Sequence, residues 1–164
     1  MTNPEITLVI PAYNNRPVLN QCLNHLAKQD CDPSLFEVVV IDDGSTDGTG
    51  DMARQYKAPF SLTVLRQEHA GQCKGRNLGI RNARGRIVLF LDSDMFVAPD
   101  LVSEHLEIHR TKGPRIIVQG PAINTDNLEK PAEPSKGFHF YGKIQWGYFI
   151  TWNASIEKEL LFQA

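Results

Sequence analysis

The sequence has few of the features that mark disulfide-rich or metal-stabilised proteins. Its 164 residues include three cysteines, Cys22, Cys31 and Cys73, and none of them forms a CxxC pair. A disulfide framework needs an even number of cysteines, and a structural zinc site needs more ligands at closer spacing. We therefore expect three reduced thiols, as is typical of cytosolic proteins.

The sequence also lacks an excess of basic residues and a long apolar run. Seventeen lysine and arginine residues against 19 aspartate and glutamate residues give a formal net charge of −2, which provides no overall basic field for nucleic acid. The N-terminus does not match a signal peptide, and no apolar run approaches the roughly 18 residues of a membrane helix. We expect a cytoplasmic protein without a nucleic-acid partner or a membrane segment. Any membrane association would depend on sequence beyond this chain.

The hydrophobic pattern predicts strands that alternate with helices. Short runs rich in β-branched residues predict strands, and apolar residues spaced three and four apart predict helices. The predicted strands are 6–10, 36–41, 61–65, 86–91 and a fifth that begins at 116–118, and the predicted helices are about 17–26, 45–56, 72–83 and 100–112. This order predicts a single α/β domain over residues 1–164, with a mostly parallel sheet flanked by helices and right-handed crossovers.

Two regions depart from this alternation. Residues 120–137 contain three prolines and little periodicity, which predicts a mobile loop. Residues 157–164 suggest the start of a helix whose apolar face, formed by Ile156, Leu160 and Leu161, has no following partner. That ending predicts a chain that is truncated at its C-terminus.

Polar loops follow three of the predicted strands: Pro11–Asn14, Asp42–Asp47 and Asp92–Asp94. In parallel α/β sheets, ligands bind at the carboxyl ends of the strands. Tyr13 offers a flat face for a base, a carboxylate after the second strand can accept the ring N–H of uracil, and the Asp-Ser-Asp spacing suits a hard divalent cation. Each loop also has a purely structural interpretation, as a packed turn, a helix-capping turn or a solvated acidic turn.

The segment His69–Gly79 carries the fourth candidate. If a helix starts near Gln72, Lys74 and Arg76 are expected to face the same ligand side, and a helix N-terminus with two cations suits a diphosphate. The alternative is a solvated basic face, with Asn77 and Gly79 packed close to the sheet.

Taken in order, strand–PAYN, strand–DDGSTD, GxxKGRNxG and strand–DSD resemble the glycosyltransferases of family 2. The resemblance extends from Ile6 to about Leu161 and implies the GT-A fold, a Rossmann-like fold shared by transferases that use nucleotide-diphosphate sugars. It also implies roles for eight residues. Pro11, Ala12 and Tyr13 would line the base pocket, and Asp43 would bond the uracil N3. Lys74 and Arg76 would reach the nucleotide. Asp92 would touch the ribose or the sugar, and Asp94 would hold Mg²⁺ or Mn²⁺.

The resemblance further implies the reaction. A sugar would pass from a nucleotide-diphosphate donor, with a UDP-sugar favoured, to a hydroxyl group of a saccharide or another acceptor, with inversion of the anomeric carbon. The general base of the family follows a stretch similar to Thr151–Ser155, and Glu157 and Glu159 come too early to match it. We therefore expect the base beyond Ala164. The aromatic segment Phe138–Phe149 could supply a stacking surface for an acceptor sugar or pack into the core.

Three other functions are compared with the same sequence features. A noncatalytic module that binds nucleotide sugars would share every motif except the downstream acidic one. A nucleotidyltransferase would have a glycine-rich phosphate loop after the first strand, where this sequence has Asn14–Arg16 without glycine. A dinucleotide-dependent oxidoreductase would have GxGxxG at the same place.

Overall fold

A computed structural model describes residues 3–120, the backbone of 140–143, and residues 152–163. The strands are β1 (Ile6–Ala12), β2 (Phe36–Asp42), β3 (Ser61–Arg66), β4 (Ile87–Phe90), β5 (Ile116–Gln119), β6 (Phe140–Lys143) and β7 (Ala154–Glu157). The helices are α1 (Arg16–Leu26), α2 (Thr49–Gln55), α3 (Gln72–Asn82) and α4 (Leu101–Lys112), with short 3₁₀ helices at Pro33–Leu35 and Lys158–Phe162.

The seven strands form one sheet in the order β3-β2-β1-β4-β7-β5-β6. The first four of these are parallel neighbours, whereas β7 is antiparallel to both β4 and β5, and β6 is antiparallel to β5. The predicted α/β fold is therefore confirmed, and the sheet in the described residues is mixed, with three parallel pairings among β3, β2, β1 and β4 and three antiparallel pairings beyond them. Within the described ranges, no helix combines the length and the apolarity that crossing a membrane requires.

Helices cover both faces of the sheet, and the side chains of each strand alternate between them. On one face, Leu8 and Ile10 of β1 belong to a buried cluster with residues of α1, α2 and α4. On the other face, Val9 of β1 packs in a second cluster with Ile80 of α3 and Leu160. Burial on both faces explains why β1, β2 and β4 are nearly continuous apolar runs in the sequence.

Gly79 allows α3 to approach the sheet closely. A Cβ atom at this position would lie 2.3 Å from Cγ1 of Val9 and 2.9 Å from Cδ1 of Ile41, which is well inside van der Waals contact. The suggested close packing is confirmed for Gly79 and is wrong for Asn77, which is exposed.

The helix expected at the chain end is only a short 3₁₀ helix, and the expectation that its apolar face lacks a partner is wrong. Ile156 lies in β7 and is fully buried, and the chain then forms a 3₁₀ helix in which Leu160 is buried and Leu161 packs on the second cluster. The apolar residues that suggested an uncovered helix are thus covered by β4, β5 and α3. A short apolar run does not by itself distinguish a strand from a helix, and the error follows from that ambiguity.

Two further predictions concern loops. Helix α2 begins at Thr49 rather than near Ser45 or Thr46, and Asp47 Oδ1 accepts a hydrogen bond from the Thr49 backbone N at 2.9 Å. The predicted mobile loop at 120–137 lies outside the described residues except for Gly120, whose backbone N donates to the Asn153 carbonyl at 2.9 Å.

A buried polar network joins α4 to β7. His105 contacts Ser155 Oγ through Nδ1 at 2.7 Å and Asn153 Oδ1 through Nε2 at 3.0 Å, and His109 Nε2 lies 2.9 Å from the same Ser155 Oγ. Burial, reinforced by the positive charge of Arg86, lowers the pKa of His109 to about 4. His109 is therefore neutral near pH 7, and its Nε2 shares a hydrogen bond with the serine oxygen.

Candidate functional site

A cavity of about 360 Å³ opens where β1, β2 and β4 end. These parallel strands run side by side, so that the loops that follow them meet at the same edge of the sheet. The cavity is lined by Pro11, Ala12, Tyr13, Asn15, Asp43, His69, Gly71, Gln72, Asp92, Ser93 and Asp94. Six of the eight site residues predicted from the sequence are among them, and the exceptions are Lys74 and Arg76.

The two adjacent aspartates after β2 have different surroundings. Asp42 is fully buried; its Oδ1 accepts from the Ser45 backbone N at 2.9 Å, and its Oδ2 pairs with Nη1 of Arg66 at 2.8 Å. Asp42 therefore holds the turn and does not line the cavity, whereas its neighbour Asp43 does.

The carboxylate of Asp43 is bound by the loop after β3. Its Oδ1 accepts from Gln67 Nε2 at 2.6 Å and from the Ala70 backbone N at 2.9 Å, and its Oδ2 accepts from the Gly71 backbone N at 2.9 Å. Burial alone would raise the pKa of Asp43, but these hydrogen bonds and the nearby His69 imidazole hold it below its ordinary value. Asp43 is therefore a firmly ionised hydrogen-bond acceptor at neutral pH.

Tyr13 and His69 form a stacked pair over Asp43. Their ring centroids are 4.1 Å apart with 24° between the ring planes. His69 Nδ1 lies 2.9 Å from Asp43 Oδ2 and 3.2 Å from the Asp43 carbonyl oxygen. The planar surface predicted for Tyr13 thus exists at the cavity, and one of its faces contacts the imidazole.

Asp92 and Asp94 lie in the turn after β4, which is closed by a hydrogen bond from the Met95 backbone N to the Asp92 carbonyl at 3.2 Å. Asp92 Oδ1 pairs with Nη2 of Arg76 at 2.6 Å, and the Arg76 side chain is only 12% exposed. Arg76 therefore stands behind the cavity wall and orients Asp92, while the side chain of Asp94 is exposed to solvent.

These residues fit a divalent cation that shares its ligands with a bound molecule. No group of three or more histidine, cysteine, aspartate or glutamate residues within the described ranges could hold a metal ion. Mg²⁺ commonly takes one or two carboxylates and completes its shell with water and substrate phosphates, and Mn²⁺ suits the same ligands. The exposed Asp94 carboxylate, with Asp92 two residues away, matches that mode of binding rather than an all-protein cage.

Lys74 does not share the ligand face with Arg76. Residues two apart in an α-helix lie about 200° apart around its axis, and α3 begins at Gln72 as predicted. Lys74 is accordingly exposed and is not a cavity-lining residue, whereas Arg76 is directed at Asp92. The predicted shared face is wrong, while a nucleotide contact by Lys74 stays a prediction.

Five residues line the cavity although no individual role was predicted for them; four lie in the candidate segments His69–Gly79 and Asp92–Asp94, and the fifth is Asn15. Asn14, the last residue of the candidate loop after β1, does not line the cavity; its Oδ1 accepts from the Thr46 backbone N at 2.8 Å and supports the neighbouring loop. Its neighbour Asn15 reaches the cavity and donates from Nδ2 to Ser93 Oγ. The adjacency of two asparagines after a strand was the only available signal, and it does not say which one faces inward.

Comparison with known proteins identifies the family of the chain. A profile of the family described as Glycosyl transferase family 2 matches residues 7–156. The chain belongs to glycosyltransferase family 2. Among curated relatives, the uncharacterised glycosyltransferase YfnE of Bacillus subtilis (strain 168) is 45% identical over 107 residues, which are 65% of this chain and 27% of YfnE. The chain thus spans about a quarter of the length of that relative.

Solved structures of two glycosyltransferases resemble the fold. TarS 1-349 of Staphylococcus aureus, in complex with UDP-GlcNAc, matches with a TM-score of 0.64 and 32% identity over 68% of this chain and 33% of that chain. The mannosyltransferase PcManGT of Pyrobaculum calidifontis, in complex with GDP-Man and Mn²⁺, matches with a TM-score of 0.66 and 28% identity over 75% of this chain and 36% of that chain. The GT-A fold expected from the motifs is confirmed.

Proposed function

We propose that the protein transfers a sugar from a nucleotide-diphosphate donor, with a UDP-sugar favoured, to a hydroxyl group of a saccharide or another acceptor. The observation that carries this proposal is the meeting of Tyr13, Asp43, Asp92 and Asp94 around one cavity. A flat aromatic face and an ionised acceptor suit a base, and the two later carboxylates suit a ribose and a metal-bound diphosphate.

The base would bind between β1 and β2. Pro11 and Ala12 form part of the wall, Tyr13 supplies the stacking face, and Asp43 accepts the N3–H of uracil. Because the pKa of Asp43 lies below its ordinary value, the carboxylate is available in its charged form, and a hydrogen bond to a charged group contributes about 1.5–3 kcal/mol. TarS, which carries UDP-GlcNAc in its solved structure, supports the choice of uracil.

The diphosphate and its cation would lie beside the turn after β4. Asp94 would hold Mg²⁺ or Mn²⁺, and Asp92, oriented by Arg76, would bond the ribose or the sugar. Such a cation, when bound, stabilises the negative charge that builds on the departing nucleotide diphosphate. Lys74, exposed near the start of α3, remains the candidate for a further contact with the nucleotide.

The acceptor side of the reaction requires a general base, and we propose inversion by a single in-line displacement. Glu157 lies at the far end of β7, opposite Ile87 at the start of β4, and pairs with Arg86. It is therefore at the sheet edge away from the cavity and does not serve as the base. The proposal places the base in sequence after Ala164.

Calorimetric titration with UDP, first with Mn²⁺ and then with EDTA, tests the donor site. We expect binding that weakens when the metal is removed, and Asp94→Asn should lose the metal-dependent part because the ion loses its exposed carboxylate. Asp51→Asn is the matched control, since Asp51 is exposed, pairs with Arg54 in a surface contact on α2 and does not line the cavity. Absence of binding to UDP, GDP and dTDP under both conditions would contradict the proposal.

A further inference from the structure

The stacked pair of Tyr13 and His69 has the geometry that a bound base would have. The imidazole is a planar ring with its centroid 4.1 Å from that of Tyr13. Its Nδ1 lies 2.9 Å from Oδ2 of Asp43. A base held between the same two residues would likewise stack on the tyrosine and present a ring nitrogen to the aspartate.

We propose that the His69 side chain occupies the base subsite as an internal substitute for the nucleobase, and that a nucleotide binds by displacing it. This inference rests on the proposed function, because it assigns the base to Tyr13 and Asp43. His69 then lowers the affinity for the donor by competing with the base, without touching the phosphates or the sugar.

The hydrogen bonds of Asp43 support displacement rather than addition. An ionised carboxylate offers about four acceptor sites. Gln67, Ala70 and Gly71 donate to three of them, and the fourth faces His69 Nδ1. A base N–H therefore finds an acceptor on Asp43 when the imidazole leaves.

The loop backbone is fixed, so that the movement is confined to one side chain. Ala70 and Gly71 bind Asp43 through their backbone N atoms. If Gly44 had a Cβ atom, it would lie only 2.8 Å from the backbone N of His69. The loop that carries His69 therefore packs directly against the Gly44 backbone. The His69 side chain, in contrast, is 57% exposed and can rotate into solvent.

Displacement also predicts which bases are accepted. The base must replace both the ring contact with Tyr13 and the N–H next to Asp43. Uracil and thymine carry N3–H and guanine carries N1–H, whereas the corresponding ring nitrogens of cytosine and adenine are acceptors that the Asp43 carboxylate repels. UDP, dTDP and GDP should therefore bind, and CDP and ADP should bind much more weakly.

Titration of the whole chain with UDP and Mn²⁺ compares the wild type with His69→Ala, His69→Phe and the control Glu68→Gln. His69→Ala should bind UDP roughly three- to tenfold more tightly, because the competing hydrogen bond and ring contact are lost. His69→Phe keeps a ring that can stack on Tyr13 but lacks the N–H, and its affinity should lie between the two. Glu68 is an exposed neighbour that does not line the cavity, so Glu68→Gln should match the wild type.

A second readout follows the imidazole itself. The ring protons of His69, assigned by comparison with His69→Ala, should lose the ring-current shift caused by Tyr13 as UDP saturates the wild type. Unchanged ring signals, or an affinity of His69→Ala equal to or weaker than the wild type, would overturn the inference while leaving the donor site in place. If neither protein binds a nucleotide, the proposed function fails together with the inference.

Discussion

The adjacent residues Asp42 and Asp43 have different structural roles. The sequence indicated that one carboxylate after β2 would face a ligand, and Asp43 lines the cavity while Asp42 pairs with Arg66. The partners of Asp43 could not be predicted, because Gln67 and the following loop lie 24 to 28 residues away. Contacts at that separation depend on the register of β2 against β3, which short-range patterns do not specify.

The protonation of His109 should make the stability of the protein depend on pH. The pKa of His109 is about 4 in the folded protein and 6.5 in the unfolded chain, so between these values only the unfolded chain binds the proton. Stability is therefore complete above about pH 6.5 and falls as the pH decreases towards 4. From pH 7 to pH 5, the free energy of unfolding should decrease by about 2 kcal/mol on account of His109.

Urea unfolding at the two pH values measures this difference, and His109→Gln provides the comparison. The glutamine amide can still form a hydrogen bond with Ser155 but does not titrate, so the variant should show a smaller decrease. An equal decrease in both proteins would mean that other groups cause the pH dependence.

At the scale of the element, the helices and parallel strands were predicted to within a few residues, whereas β7 was missed. Strands β1, β2 and β4 are apolar runs buried on both faces, and that pattern is strong. Strand β7 has only four residues and enters the sheet from the far end of the chain, between β4 and β5. Its place depends on long-range pairing, and the local pattern was equally compatible with a helix.

The close packing of α3 against the sheet depends on the absence of a side chain at Gly79. Gly79→Ala should decrease the free energy of unfolding by about 1–3 kcal/mol, because the new methyl group would collide with Val9 and Ile41 and force the helix away from the sheet. Asn77→Ala, at an exposed position of the same helix, should change it by less than about 0.5 kcal/mol. Denaturant unfolding of both variants tests this, and a neutral Gly79→Ala would show that α3 is not held at that distance.

For the molecule as a whole, β7 connects the parallel half of the sheet to the strands that follow it. It is hydrogen-bonded to β4 on one side and to β5 on the other, and its Ile156 is fully buried. The sheet is therefore continuous only when the last described residues are present. The fold class could be predicted from the alternation of strands and helices, but this closure of the sheet could not.

Removal of the residues after 151 should abolish the cooperative thermal transition of the chain. The variant would expose the edge of β4 and leave buried apolar residues uncovered. A control that lacks only residues 163–164 should unfold as the full chain does, because Gln163 is exposed. Thermal scans followed by circular dichroism compare the two, and a cooperative transition in the shorter chain would contradict the central role of β7.

The cavity itself draws only on residues up to Asp94, although the sheet that supports it needs the chain end. The residues that line the cavity and the residues that complete the supporting sheet therefore lie in different parts of the sequence. Within the ranges that the structure describes, no residue after Asp94 lines the cavity, so substitutions there that preserve the packing leave its lining side chains unchanged. Under the proposed function, changes confined to the later part of the chain would alter the acceptor while the donor cavity stays the same.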